Sequence, residues 1–169
     1  MIKPSEALTQ SFNEQIGQEM HSSMQYIAIA SYFEDETLPE LATFFFRQSE
    51  EERDHAMKFV RFLLDVEAKV EIPAIDAPKN RFSSAQEAVA LALASERKIS
   101  ENIFRLVESA RDAGNLPAQR FLDWFVTEQQ EEEATMSSLL AVVERAGEKG
   151  LLHVEDYLAR QKGSLGSAE

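Results

Sequence analysis

Leu41-Ala-Thr-Phe-Phe45-Phe-Arg-Gln48-Ser-Glu-Glu51-Glu52-Arg-Asp-His55-Ala-Met-Lys-Phe59 has the period of a helix and a buried face that changes chemistry midway. Leu41 and Phe45 are four apart, and Phe59, Phe62 and Val66 resume the same face. Between them that face carries Gln48, Glu52 and His55. Glu52 and His55 stand at i, i+3, so both side chains leave one side of the helix and can reach one cation.

The same interruption recurs in three more stripes. Leu8, Phe12, Ile16, Ser23, Tyr26, Ala30 and Phe33 are broken by Glu19. Val89, Ala92, Ile99, Ile103, Leu106 and Ala110 are broken by Glu96. Phe121, Phe125, Thr135, Leu139, Val142 and Ala146 are broken by Glu128, Glu131 and Glu132. All these breaks are read as core-facing.

The boundaries are equally legible. Ser5 caps the first helix, and the segment before Pro39 ends it. Val70 to Pro78 has two prolines and no helical period, so it is an extended connection. Ser84-Ala-Gln-Glu87 is a capping box, Gly114 stops the third helix, and Asn115 caps the fourth with Pro117 in its first turn. Gly147 and Gly150 end that helix, and a short amphipathic helix, 151–161, follows. Residues 1–162 are read as one domain and 163–169 as a disordered tail.

Four helices of about 28 residues are each about 40 Å long. A connection of about 14 extended residues spans about 45 Å, enough to return the chain along such a bundle. The expected fold is all-α: a four-helix bundle with one long crossover and a short fifth helix. Each polar break lies near the middle of its helix, where antiparallel neighbours meet at one level. Four carboxylate-bearing gaps therefore converge on one interior layer. Desolvating each ion costs several kcal/mol and like charges repel, so protons or cations must compensate. Oxygen ligands with one imidazole suit hard or borderline divalent metals, and carboxylates bridge two of them. The layer is read as a carboxylate-bridged di-metal site.

Composition narrows the alternatives. The chain has 169 residues, 44% of them hydrophobic, and no cysteine, which excludes disulfides, thiolate metal sites and thiol nucleophiles. A formal charge of −13 disfavours nucleic acid and anionic membranes as partners and favours cations. No secretory h-region or bilayer-length apolar run is visible, so a soluble cytoplasmic protein is expected. Three readings remain open on the residues alone: a metal store, a di-metal redox enzyme acting on an organic substrate or peroxide, and a helical interaction module with solvated glutamates. Tyr26 and Trp124 are core aromatics or electron donors beside a metal pair. Met20, Met24, Met57 and Met136 read as packing, and His21 and His153 as surface residues.

Asn13-Glu-Gln-Ile-Gly-Gln-Glu19, Glu51-Glu52-Arg-Asp-His55, Ser95-Glu96 and Trp124-Phe-Val-Thr-Glu128-Gln129-Gln130-Glu131-Glu132 resemble the bacterial non-haem ferritins over nearly the whole chain. The resemblance implies a ferritin-like fold and a ferroxidase centre that oxidises paired Fe²⁺ to Fe³⁺ with O₂ or peroxide. It implies storage of ferric oxyhydroxide mineral inside a homo-oligomeric cage of twenty-four chains. By the same resemblance Glu19, Glu52 and His55 hold the first iron, with Glu52 bridging, and Glu96 and Glu132 complete the second. Glu51, Glu128 and Glu131 match a third iron site, Gln129 and Tyr26 border the centre, and Trp124 lies close by.

Departures exclude several cousins. Bacterioferritins carry a second Glu-x-x-His where this chain has Glu128-Gln-Gln-Glu131, and a haem-ligand methionine where it has Arg53, so no haem is expected. Rubrerythrins need cysteines. Animal ferritins line their three-fold channel with acids where this chain has Gln119 and Leu122, so that iron route does not carry over.

Overall fold

Local signals set the helix ends. The computed structural model describes residues 3–165. Helix α1 (Glu6–Asp35) starts where Ser5 Oγ accepts from Leu8 N at 3.2 Å. Helix α2 (Pro39–Asp65) follows a short turn in which Thr37 adopts φ 62°. Helix α3 (Ala85–Asp112) starts where Ser84 Oγ accepts from Glu87 N at 3.0 Å. The Glu87 carboxylate reaches one residue further back than a strict capping box, accepting from Ser83 N at 2.6 Å. Helix α4 (Leu116–Ala146) is capped by Asn115 and ends at Gly147, whose φ of 64° suits glycine. A 3₁₀ turn (Glu148–Gly150) leads into α5 (Leu151–Leu165).

Helix α1 packs along α2 and α3 along α4, with α1 also against α3, giving the expected bundle. Helix α5 runs past Gly163, where the sequence placed the start of a disordered tail; the rest of that tail, 166–169, lies outside the described residues. Its packing also differs from a free amphipathic face. Val154 and Leu158 are buried against α2 and α4, and among the residues of α5 with described side chains Leu152 is the well-exposed aliphatic one.

The fourth stripe needs correction. Its buried residues are Leu122, Phe125, Gln129, Glu132, Met136, Leu139 and Val143, while Thr135 and Glu131 are exposed and Val142 is half-buried. Steps of three and four from Phe125 land on Gln129, Glu132 and Met136, so the 3.6-residue period, carried through the glutamates, selects Met136 over Thr135. On α2, likewise, Leu63 rather than Phe62 is fully buried; Phe62 stacks on Phe121 at 4.3 Å near the surface.

The crossover, 66–84, is strapped to α1 by residues four apart. Asn13 Nδ2 donates to Lys69 O at 3.0 Å, and its Oδ1 accepts from Glu71 N at 2.9 Å. Gln25 repeats the clamp on Lys79, donating to its carbonyl and accepting from its amide at 2.8 Å each. His21 Nδ1 lies 3.0 Å from Asp76 O, an acceptor, which makes Nδ1 the protonated nitrogen. Gly17 completes the stripe by letting Pro73 approach; a Cβ there would lie 2.5 Å from Pro73 Cγ. Alanine normally gains about 1 kcal/mol over glycine inside a helix. Here overpacking costs about 1–3 kcal/mol. Gly17→Ala is therefore expected to lower the thermal midpoint of the metal-free protein in calorimetry; a rise would contradict the strap.

Helix α2 lacks a cap of its own: Leu38 offers no side-chain acceptor. Glu155 on α5 supplies one, its oxygens accepting from Glu40 N at 2.7 Å and Leu41 N at 2.9 Å. A carboxylate also suits the positive end of the helix. Glu155→Ala should cost about 0.5–2 kcal/mol, the range for lost N-caps, read as a lowered calorimetric midpoint. Glu155→Gln, which keeps one acceptor, should cost less.

Candidate metal centre

The core is two apolar clusters separated by a polar layer. On α1 one cluster ends at Ile16 and the other begins at Tyr26, with Glu19 between. On α2 the boundary falls between Phe45 and Ala56, spanning Gln48, Glu52 and His55; on α3 it falls between Leu93 and Ile99, at Glu96. On α4 it falls between Phe125 and Met136, at Gln129 and Glu132. Glu19, Glu52 and Glu96 are 0% exposed, so each helix delivers its polar group to the closed middle of the bundle.

These groups are not consumed by internal hydrogen bonding. Glu19 Oε2, both Glu52 oxygens and His55 Nδ1 are buried without a hydrogen-bond partner. His55 Nδ1 lies 3.7 Å from Glu52 Oε1, and its Nε2 lies 3.8 Å from Glu128 Oε1. Both are too long for hydrogen bonds. They leave each ring nitrogen facing a different carboxylate across a gap that a cation could fill. Glu19, Glu52 and His55 each offer a ligand atom within 4.8 Å of the others, and so do His55, Glu128 and Glu132.

Glu96 is held differently. Its carboxylate accepts a short hydrogen bond from the Tyr26 hydroxyl, and Gln129 Nε2 donates to Glu96 Oε2 at 3.1 Å. Tyr26 and Gln129 thus border the layer, and both act on Glu96. Gln129 also lies 3.4 Å from Ser100 Oγ. Gln15 was not anticipated: its amide donates to Glu19 Oε1 at 2.8 Å, leaving Oε2 free. Its position four residues before Glu19 was the available signal.

Burial dominates the electrostatics. It raises the Glu19 carboxyl from 4.5 to about 7. Burial, with like charge from Glu96 and Glu51, raises Glu132 from 4.5 to about 8. Glu52 is pushed well above its ordinary value by burial and then by Glu96 and Glu19. His55 goes the other way, from 6.5 to about 4, through burial and then Lys58. The imidazole is neutral at pH 7, the form that binds metal. Without cations the layer holds protons; with cations it releases them.

The residues expected at a third site lie further out. Glu128 is half-buried, while Glu51 and Glu131 are exposed. With Gln48 and Glu132 they line an open pocket of about 400 Å³ between α2, α4 and α5, with Leu158 and Gln161 on its α5 side. Trp124 is 41% exposed, its ring 5.5 Å from that of His55 and 4.5 Å from Lys58 Nζ.

Bundle and layer define a helical protein whose carboxylates and one imidazole form candidate metal-holding groups. Residues 9–146 match the family model described as a ferritin-like domain. The chain is 46% identical over 154 residues to "Ferritin BfrB" of Mycolicibacterium smegmatis, covering 91% of this chain and 84% of that protein. It is 33% identical over 144 residues to "Bacterial non-heme ferritin" of Staphylococcus aureus, covering 85% and 87%. Among solved structures, the open-pore ferritin of Archaeoglobus fulgidus superposes with a TM-score of 0.88 at 30% identity, over 91% of this chain and 95% of that one. The chain belongs to the ferritin family. Its relatives support a role in iron storage. No helix among the described residues is long and apolar enough to cross a membrane.

Proposed function

We infer that this chain is an iron-storage ferroxidase: Fe²⁺ is its substrate, and ferric mineral held inside a cage of twenty-four cytoplasmic copies is its product. The observation that carries this reading is the set of orphaned ligand atoms on Glu19, Glu52 and His55, closed off from water at mid-bundle.

Glu19, Glu52 and His55 take the first iron, and Glu52 bridges to the second. Glu132 and Glu96 complete the second position, with Glu128 beside it. Glu96 begins hydrogen-bonded to Tyr26 and Gln129, so those two groups orient the carboxylate that meets the metal. Two Fe²⁺ give up one electron each; O₂ takes both electrons with two protons and becomes hydrogen peroxide. Peroxide as oxidant takes two electrons and two protons to give water. Gathered carboxylates stabilise the higher charge of Fe³⁺, which favours oxidation. Glu51, Glu128 and Glu131 form the third site on the way out. Exposed Ile27, Leu64 and Phe104 offer apolar surface for neighbouring copies to cover.

The test is aerobic Fe²⁺ loading followed by size-exclusion chromatography. A very large particle that carries hundreds of irons supports a store. A small particle that cycles metal without accumulating it would point instead to a di-metal redox enzyme. Absence of metal binding would leave only a helical module.

A further inference from the structure

Glu19, Glu52 and Glu96 are all closed off from water, yet their oxygens are engaged to different degrees. Glu52 has neither oxygen hydrogen-bonded, and Glu96 has both, one by Tyr26 and one by Gln129. Glu19 stands between them. Gln15 Nε2 donates to its Oε1 at 2.8 Å, and its Oε2 is left without a partner. Gln15 sits one turn before Glu19 on α1 and is itself 2% exposed. It also borders a groove of about 260 Å³ between α1 and α3, which makes it part of the wall between that groove and the layer. A buried amide held in one place orients the carboxylate it holds.

Resting on the di-iron reading above, we propose that Gln15 is a positioning residue for the oxidation. It engages Glu19 Oε1, confines Glu19 to the first cation through Oε2 alone, and so keeps a coordination position on that cation open. A carboxylate binds a cation through one oxygen or through both. With both, Glu19 would fill a further position beside those of Glu52 and His55, and the oxidant would have to displace a ligand. With one, that position stays free, as catalytic metal sites require. Turning Oε1 onto the cation would break its hydrogen bond and leave the buried amide nitrogen without that acceptor, which opposes the turn.

Three variants of the assembled full-length chain test this. Gln15→Leu removes the donor at nearly the same volume, so the wall stays closed. Gln15→Asn keeps an amide too short to reach Glu19 and serves should the leucine variant not assemble. Gln18→Leu, on the same groove, is the control. In crystals of the unaltered metal-free protein soaked with Zn²⁺, one Glu19 oxygen should lie about 2.0–2.2 Å from the first cation. The other should stay on Gln15. In Gln15→Leu both should move onto the metal. Calorimetric titration should find the first Zn²⁺ bound as tightly as before or more so, because it gains an oxygen. Stopped-flow oxidation at saturating Fe²⁺ and O₂ should nevertheless fall by about tenfold or more. A role confined to steadying Glu19 gives the opposite split: a weaker first Zn²⁺, and a rate that saturating Fe²⁺ restores. That split overturns the proposal and leaves the di-iron reading intact. So does an unaltered chain that holds Zn²⁺ through both Glu19 oxygens, an unchanged saturating rate in the Gln15 variants, or an equal loss in Gln18→Leu. Unaltered protein that binds no Zn²⁺ at Glu19 sinks both.

Discussion

Replacing Glu52 with glutamine is expected to slow the initial aerobic oxidation of Fe²⁺ by about 100-fold or more, while making the metal-free protein more stable. The two effects share one cause. Both Glu52 oxygens are buried and unpartnered, and Glu19 and His55 present ligand atoms within 4.8 Å. A carboxylate there can bridge two irons; an amide offers one neutral oxygen and cannot. Without metal, the same carboxyl is a liability. Burial and the charges of Glu96 and Glu19 push it well above its usual range. That carboxyl must take up a proton to stay in the layer, and an amide of nearly the same volume needs none, so the substitution removes a cost of the metal-free fold. For a chain of this size each kcal/mol amounts to about 2–4 °C in thermal midpoint. Glu50→Gln, on the exposed face of the same helix, should change neither quantity. Stopped-flow oxidation and calorimetry on both variants decide the matter. Undiminished oxidation in Glu52→Gln would remove the iron site, and a lowered midpoint would remove the electrostatic strain.

The polar layer was readable because helical period is a local property and each stripe kept its phase on both sides of the break. Leu41, Phe45, Gln48, Glu52, His55 and Phe59 stay on one face of α2 from the first residue to the last. The phase slipped where no apolar residue marks it. From Gln129 to Thr135 the fourth helix offers only polar residues and Ala134. Spacing alone puts Thr135 on the stripe, whereas Met136, read as packing, is the residue that is fully buried there. Glu131 was drawn inward by the same slip. Glu132, one position on, is the buried member of that run.

Long-range polar contacts were not legible. Glu155 caps α2 from more than a hundred positions away, and nothing near either partner announces it. Leu38, a poor cap, was a hint only that something else had to serve. The strap on α1 was half visible. Asn13, Gly17, His21 and Gln25 recur every four residues, a polar stripe beside the apolar one. What it binds depends on where the crossover lies. A side-chain amide that clamps a peptide group is indistinguishable in sequence from one facing water. The same holds for Gln15, whose hydrogen bond aims Glu19.

The stability of the metal-free protein is expected to fall steeply with rising pH between 6.5 and 8, and bound Zn²⁺ should abolish that fall. Carboxyls whose folded values are raised bind more protons folded than unfolded. Their contribution is complete below the unfolded value and is lost as pH rises towards the folded one. Glu19 is raised from 4.5 to about 7 and Glu132 from 4.5 to about 8. His55 has the opposite sign. Lowered from 6.5 to about 4, it is neutral in the fold and favours folding increasingly as pH rises through that interval. Below pH 6.5 the histidine therefore offsets part of the carboxyl effect and the profile is shallower. Above it the histidine has nothing left to give, and the carboxyls act alone. Glu19 and Glu132 then lose about 2.5 kcal/mol between them across the window, before Glu52 is added. That is about 5–10 °C in thermal midpoint. A cation reverses the sense by replacing protons: the ligands ionise on binding, and protons are released. Titrating Zn²⁺ in two buffers of different ionisation enthalpy should reveal that release directly. A midpoint that stays level from pH 6.5 to 8 without metal would mean that these carboxyls are already ionised and solvated. The protein would then need no cation to settle its interior.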